Sequence, residues 1–223
     1  MCLDYFGLWQ PNILSRREQK IVVGIAVMAS PLYIVGMGGT TRAGSSSERL
    51  VRCVLAEAQN QGAETKFFGG EELSRFPHFK PEDPARTDQQ KDFLESVRMA
   101  DGFVVGSPSY HGGISGLVKN AIDLIEDLRD DANSYFSGRA VGIVVTAAGW
   151  QGCGVTLQSI RGIVHALRGW PTPLGIAVNT VEKKIFDMDG TLIDQELITA
   201  CAIQAKQILN LAAAGGKVNH AEG

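Results

Sequence analysis

The chain has no CxxC pair, and its four cysteines (Cys2, Cys53, Cys153, Cys201) are scattered over its length. That pattern argues against a paired-cysteine zinc site or a disulfide framework and suits reduced thiols in a cytosol-like compartment, so a cytoplasmic location is expected. The four histidines are dispersed as well, and no metal site is expected. Surplus charge is small: 21 Lys and Arg against 24 Asp and Glu leave a net charge of −3. Neither nucleic acid nor an anionic membrane is attracted to such a surface. There is no GxxxxGK[ST] segment, which excludes a nucleoside-triphosphatase loop. What remains is an ordinary globular composition, 44% hydrophobic and 20% charged over 223 residues. That length is sufficient for a full sheet core.

Charge is also missing from Ile21 to Thr41, just after Arg16, Arg17 and Lys20. A hydropathy window reads that run as a membrane anchor. Pro31, Gly36, Gly38 and Gly39 interrupt it, and its second half reads better as a buried strand entering a glycine turn. No membrane partner is therefore expected. Met28-Ala29-Ser30-Pro31 looks like the start of a compact domain. Residues 1–30 are read as an N-terminal extension, 31–214 as the domain and 215–223 as a flexible tail. Within the extension, residues 1–27 read as an arm, a targeting segment or a gene-model artefact, and the sequence leaves these open. Asp4 and Glu18 do not suit an organelle transit peptide.

From Leu32 onward, apolar runs alternate with helical patterns, the signature of a parallel sheet covered on both faces. Strands are expected at Leu32–Val35, Thr65–Phe68, Gly102–Gly106, Val141–Val145 and Leu174–Val178. Helices are expected at Ser47–Gln61, Ala85–Ala100, Ser115–Leu128, Val155–Leu167 and Gln195–Leu211. Right-handed crossovers then give an α/β three-layer sandwich.

Ligands of open α/β sheets bind beyond the carboxyl ends of the strands, where strand order reverses. The first such loop, Gly38 to Ser47, combines glycines, five hydroxyls and Arg42 and runs into a helix. Turning backbone, oriented donors and a helix N-terminus make a phosphate cradle. The plainer reading is an N-capped helix behind a serine-rich turn. A dinucleotide fingerprint fails, because Thr41 stands where its third glycine belongs and the second strand ends in Gly69-Gly70.

The second loop reads Gly106-Ser107-Pro108-Ser109-Tyr110-His111-Gly112-Gly113-Ile114-Ser115-Gly116, and continues through Leu117-Val118-Lys119-Asn120-Ala121-Ile122-Asp123. Here the chain resembles the NADPH-dependent FMN reductase family, whose pattern P-x-Y-x-x-[GS]-x-x-G-x-[LV]-K-[ND]-x-[IL]-D it matches at every position. The family's G-[ST]-x-R-x-x-S-x-[ST] falls on Gly39, Thr40, Arg42, Ser45 and Ser47. The resemblance covers about Leu32 to Leu211. It implies a flavodoxin-like fold with a five-stranded parallel sheet in the order 2-1-3-4-5. It also implies that Thr40, Arg42, Ser45, Ser46 and Ser47 hold the FMN phosphate. Pro108, Ser109, Tyr110, His111 and Gly112 would wrap the isoalloxazine, largely through backbone, with ordinary loop packing as the alternative for Tyr110 and His111. Lys119 and Asp123, at i,i+4, read as an ion pair and not as catalytic groups.

The third loop, Thr146 to Gly154, has the glycine-rich character that the family sets against the flavin, which places Ala148, Gly149 and Trp150 at the ring. Trp150 departs from the usual small residues and would stack near the ring or narrow the entrance. Cys153 is read equally as packing or as a reactive thiol. Asp187-Met188-Asp189-Gly190-Thr191 looks like the first motif of haloacid-dehalogenase-type phosphatases, with Asp187 as nucleophile. Those enzymes need a lysine and further acids from a large downstream domain, and only 32 residues follow Thr191 here.

The resemblance implies an oxidoreductase with FMN and NADPH as cofactors (NADH is the other candidate donor). Hydride passes to the flavin and on to a small-molecule acceptor: a flavin, a quinone, an azo or nitro compound, or a specialised metabolite. No catalytic side chain is required, since the cofactor carries the chemistry. A homodimer or homotetramer is expected, as in the family. The competing readings are a flavodoxin-like electron carrier and a flavin-binding module without turnover. Carriers are usually strongly acidic, which the charge of −3 does not match.

Overall fold

A computed structural model describes residues 30–215. The readings of residues 1–27, and of the tail beyond Gly215, lie outside the described residues.

Five parallel strands form the sheet: β1 (Tyr33–Gly38), β2 (Glu64–Phe68), β3 (Gly102–Tyr110), β5 (Ala140–Ala147) and β6 (Trp170–Asn179). A two-residue strand, β4 (Gly113–Ile114), folds back antiparallel onto the end of β3. The order is β2-β1-β3-β5-β6. With β4 set apart, this is the expected 2-1-3-4-5 sheet, and the neighbours described below share its flavodoxin-like architecture.

Period-two alternation divides each central strand between two cores. Val35 and Met37, Phe103 and Val105, and Val141, Ile143 and Val145 face one layer. That layer holds α3 (Asp88–Met99), α4 (Gly116–Leu124) and α5 (Trp150–Ala166). Ile34, Val104 and Val144 face the other, against α1 (Ser46–Asn60) and α6 (Gln195–Ala213). A short α2 (Gly70–Leu73) follows β2. The chain thus leaves β1 through a helix on one face and β3 through a helix on the other. This makes the β1/β3 carboxyl ends the switch point.

Several boundaries differ from expectation for physical reasons. β1 and β3 run on to Gly38 and Tyr110 because Gly38 pairs with Gly106 and the β3–β4 hairpin extends the ladder. The helix expected at Ser115–Leu128 becomes α4 followed by a 3-10 turn at Ile125–Leu128. α5 begins at Trp150 and not at Val155, so the third loop is two residues long, Ala148 and Gly149.

β6 begins at Trp170, four residues early, despite Pro171 and Pro173. As an edge strand it tolerates proline. Its register against β5 jumps between Val141 and Ile143. Two glutamines of α6 fill the gap: Gln204 Nε2 donates to Ile143 O at 3.1 Å and Leu174 O at 2.8 Å, and Gln207 Oε1 accepts from Leu174 N at 3.1 Å. Gln204 is wholly buried. Replacing it with Leu removes both donations, and the expected loss of stability is about 1–3 kcal/mol. Urea unfolding at unchanged m-value measures it; an unshifted midpoint would show that the splint contributes nothing.

Candidate functional site

The β1/β3 switch point opens into a cleft of about 450 Å³, within the range of small-molecule sites. One wall is the segment between β1 and α1. Ser45 caps α1, accepting from Glu48 N at 3.4 Å, and its Oγ lies 3.4 Å from Ser47 Oγ. Thr40 Oγ1 accepts from Arg42 N at 3.1 Å, a local turn that folds the loop over itself. The capped-helix reading holds, and the cap residue itself also lines the cleft.

The opposite wall is the end of β3. Ser107, fully buried, accepts from Ser115 N at 3.0 Å and so ties the strand to the start of α4. Pro108, Ser109 and Tyr110 then face the cleft. His111 and Gly112 form the two-residue turn between β3 and β4, with φ of 54° and 77°. Two successive left-handed residues are what a tight hairpin of this twist requires, and histidine tolerates that region better than most side chains.

Of the expected site residues, Thr40, Arg42, Ser45, Ser46, Ser47, Pro108, Ser109, Tyr110 and Ala148 line the cleft together. His111, Gly112, Gly149 and Trp150 do not; His111 and Gly149 directly follow lining residues, and Gly112 and Trp150 come one position later. Trp150 is 57% exposed at the start of α5, and its indole N–H donates to Glu182 Oε1. Thr41, Thr146 and Ala147, which belong to the expected loops but were not named as cofactor contacts, also line the cleft, as does Thr180, which lies outside those loops. Thr146 and Thr180 lie at the carboxyl ends of β5 and β6, the position that the switch-point rule marks. Thr180 N donates to Ala147 O at 2.8 Å and its hydroxyl to the same atom at 3.2 Å, which joins these segments into one floor.

Lys119 and Asp123 form the expected i,i+4 ion pair. Cys153 is buried, and burial pushes its thiol up, so it packs and carries little thiolate at neutral pH.

The Asp187 segment is a turn whose carboxylate is used locally. Asp187 Oδ1 accepts from Asp189 N at 3.0 Å and Thr191 N at 2.8 Å, and its own N–H donates to Thr191 O at 3.0 Å. Phe186 pairs with Leu192 to close the loop.

The fold and the cleft define a class: a doubly wound flavodoxin-like domain with a hydroxyl-lined cleft at its switch point. Residues 32–183 match the profile of the NADPH-dependent FMN reductase family, and the chain belongs to that family. An FMN-dependent NADPH-azoreductase of Staphylococcus haemolyticus (strain JCSC1435) is 37% identical over 102 residues, 46% of this chain and 50% of that protein. One of the same name from Staphylococcus saprophyticus is 36% identical over 116 residues, 51% of this chain and 57% of that protein. The chain thus spans about half the length of the curated relatives it matches. Among solved structures, the flavoenzyme NAD(P)H:(acceptor) oxidoreductase FerB from Paracoccus denitrificans superposes with a TM-score of 0.65 at 16% identity, over 80% of this chain and 98% of that one. A flavodoxin, WrbA-like protein from Agrobacterium tumefaciens has a TM-score of 0.54 at 17% identity, over 82% and 98%. At such identities these two establish the shared fold.

The Asp187 turn yields a direct test. Asn keeps the oxygen that accepts both N–H groups, so Asp187→Asn should unfold with wild-type stability, whereas Asp187→Ala should lose about 0.5–1.5 kcal/mol. Neither protein nor wild type should release phosphate from aryl phosphates with magnesium. Phosphate release that disappears in Asp187→Asn would make the carboxylate a nucleophile after all.

Proposed function

We propose that the chain is an NAD(P)H-dependent FMN oxidoreductase whose acceptors are small planar aromatic compounds. The observation that carries this reading is the cleft itself, in which one wall suits a phosphate and the other a flat ring with a polar edge. On the first wall, Thr40, Arg42 and Ser45 to Ser47 gather hydroxyls, a guanidinium and a helix N-terminus, the donor set for a terminal phosphate. On the second, Pro108 to Tyr110 bring backbone close to the ligand, with Thr146 to Ala148 and Thr180 beneath. The names of the staphylococcal relatives, which cover azo acceptors, support the same class.

When bound, FMN supplies the hydride-accepting and electron-donating chemistry between NADPH and the second substrate. The chain's own work is binding and orientation. Arg42, Thr40 and the α1 cap hold the phosphate end, and the β3 end fixes the ring's polar edge. The turn at His111 and Gly112 holds Tyr110, 54% exposed, at the mouth of the cleft. No side-chain nucleophile or general base is needed. In this reading the protein works in a reducing, cytosol-like compartment as a homodimer or homotetramer. Among the described residues Cys53, Cys153 and Cys201 are free thiols, in keeping with that compartment, and no helix is long and apolar enough to cross a membrane.

Titration with FMN and riboflavin, followed by NADPH oxidation with an azo dye or a quinone, tests the assignment. FMN should bind about tenfold or more tighter than riboflavin, and Arg42→Ala should erase about three- to tenfold of that difference, the range of an exposed charge-assisted contact. Equal affinity for both flavins would remove the phosphate assignment. A bound flavin that NADPH does not reduce would favour an electron carrier.

Trp150 bears on acceptor choice. Its hydrogen bond to Glu182 ties the start of α5 to the segment after Thr180, at the edge of the cleft floor. Stacking on an indole contributes about 0.5–1.5 kcal/mol, so Trp150→Ala should raise KM for small quinones about two- to tenfold while admitting bulkier acceptors. Stopped-flow reduction by NADPH should change less than reoxidation by quinone. If neither half-reaction changes, Trp150 only packs.

A further inference from the structure

Ser109 sits in a slot made by helix α5. Its backbone pairs with Ile114 in the β3–β4 hairpin, which holds its position along the strand. Thr156, wholly buried, donates its hydroxyl to Ser109 Oγ at 2.8 Å. One turn earlier on the same helix face, a Cβ at Gly152 would come within 2.9 Å of Ser109 Oγ and 3.5 Å of Ser109 Cβ. Glycine there lets the helix close on the hydroxyl. A serine hydroxyl has one hydrogen and two lone pairs. Thr156 occupies one lone pair from the protein side, while Ser109 lines the cleft. The hydroxyl hydrogen therefore remains for the cleft.

We propose that Ser109 is an oriented hydrogen-bond donor to the polar edge of the flavin ring and that Thr156 is the positioning residue that fixes it. This rests on the FMN reading above. A preset donor stabilises the ring more when it is electron-rich, because a charge-assisted bond is stronger than a neutral one. Thr156 acts through Ser109: its donation holds the oxygen, polarises it and keeps its hydrogen turned outward.

The test is the midpoint potential of FMN bound to the full-length holoprotein, measured beside the visible spectrum and the dissociation constant of oxidised FMN. In Ser109→Ala, binding of reduced FMN should weaken about tenfold relative to oxidised FMN, a fall of about 30 mV for a two-electron couple. Thr156→Val, nearly the same shape, should shift the potential in the same direction by less, and Thr156→Ser should restore it. The Thr156 pair carries the measurement should Ser109→Ala lose its flavin. Unchanged potentials in Ser109→Ala and Thr156→Val, with normal FMN binding, would overturn this proposal and leave the FMN reading standing. A shift in Thr156→Val that Thr156→Ser does not reverse would reduce Thr156 to packing and overturn its positioning role. A wild-type protein that takes up no FMN would overturn both readings together.

Discussion

The cleft depends on backbone lying against backbone with no space between. Gly38 at the end of β1 stands opposite Gly106 of β3, with φ of 145°, and a Cβ there would overlap the Gly106 carbonyl. A Cβ on Gly70, at the start of α2, would likewise overlap the Thr40 carbonyl. These two contacts draw the first loop down between the strand ends before it turns into α1. Any side chain at either position would lift the loop and with it Thr40, Arg42 and the Ser45 cap. The hydroxyls therefore face the end of β3 only because two residues have no side chain at all.

That constraint also explains why the first half of the site was legible in the sequence. Glycines next to a hydroxyl run and a helical pattern state a local geometry, and local geometry needs no knowledge of distant contacts. The β3 loop was legible by its resemblance, which covers a continuous stretch. The sheet order followed from the alternation of elements together with that resemblance. What escaped were residues whose role depends on neighbours far along the chain. Thr146 opens the third loop without being named as a contact, and Thr180 follows Asn179 just after the expected last strand. Only the parallel pairing of β5 with β6 brings both to the cleft floor.

Trp150 shows the opposite error. Gly149, Gly152 and Gly154 look like breakers, since each glycine inside a helix costs about 1 kcal/mol. The helix nevertheless starts at Trp150. Gly152 is needed where the helix meets Ser109, so the weak local propensity is offset by a tertiary contact that the sequence does not display. The proline-bearing start of β6 was missed in the same way, because the glutamines that complete its hydrogen bonds come from α6. In both places a local signal for a break was correct about propensity and wrong about outcome.

The Asp187 turn shows what decides the meaning of a motif. An aspartate followed by Met188, Asp189, Gly190 and Thr191 suits a nucleophile only if its oxygens stay free for a substrate. Here Oδ1 is spent on two backbone N–H groups in its own loop. The same turn stands beside α1: a Cβ at Gly190 would overlap the Arg49 guanidinium, which also lies 5.4 Å above the Phe186 ring. Arg49 follows the Ser45 cap by one helical turn and accompanies Gly44, whose missing Cβ would sit 3.1 Å from Arg49 Nη2. The segment that resembles a phosphatase nucleophile is thus a buttress behind the first loop of the cleft. Its glycine and aromatic residues pack against Arg49 of the helix whose N-terminus opens on the cleft.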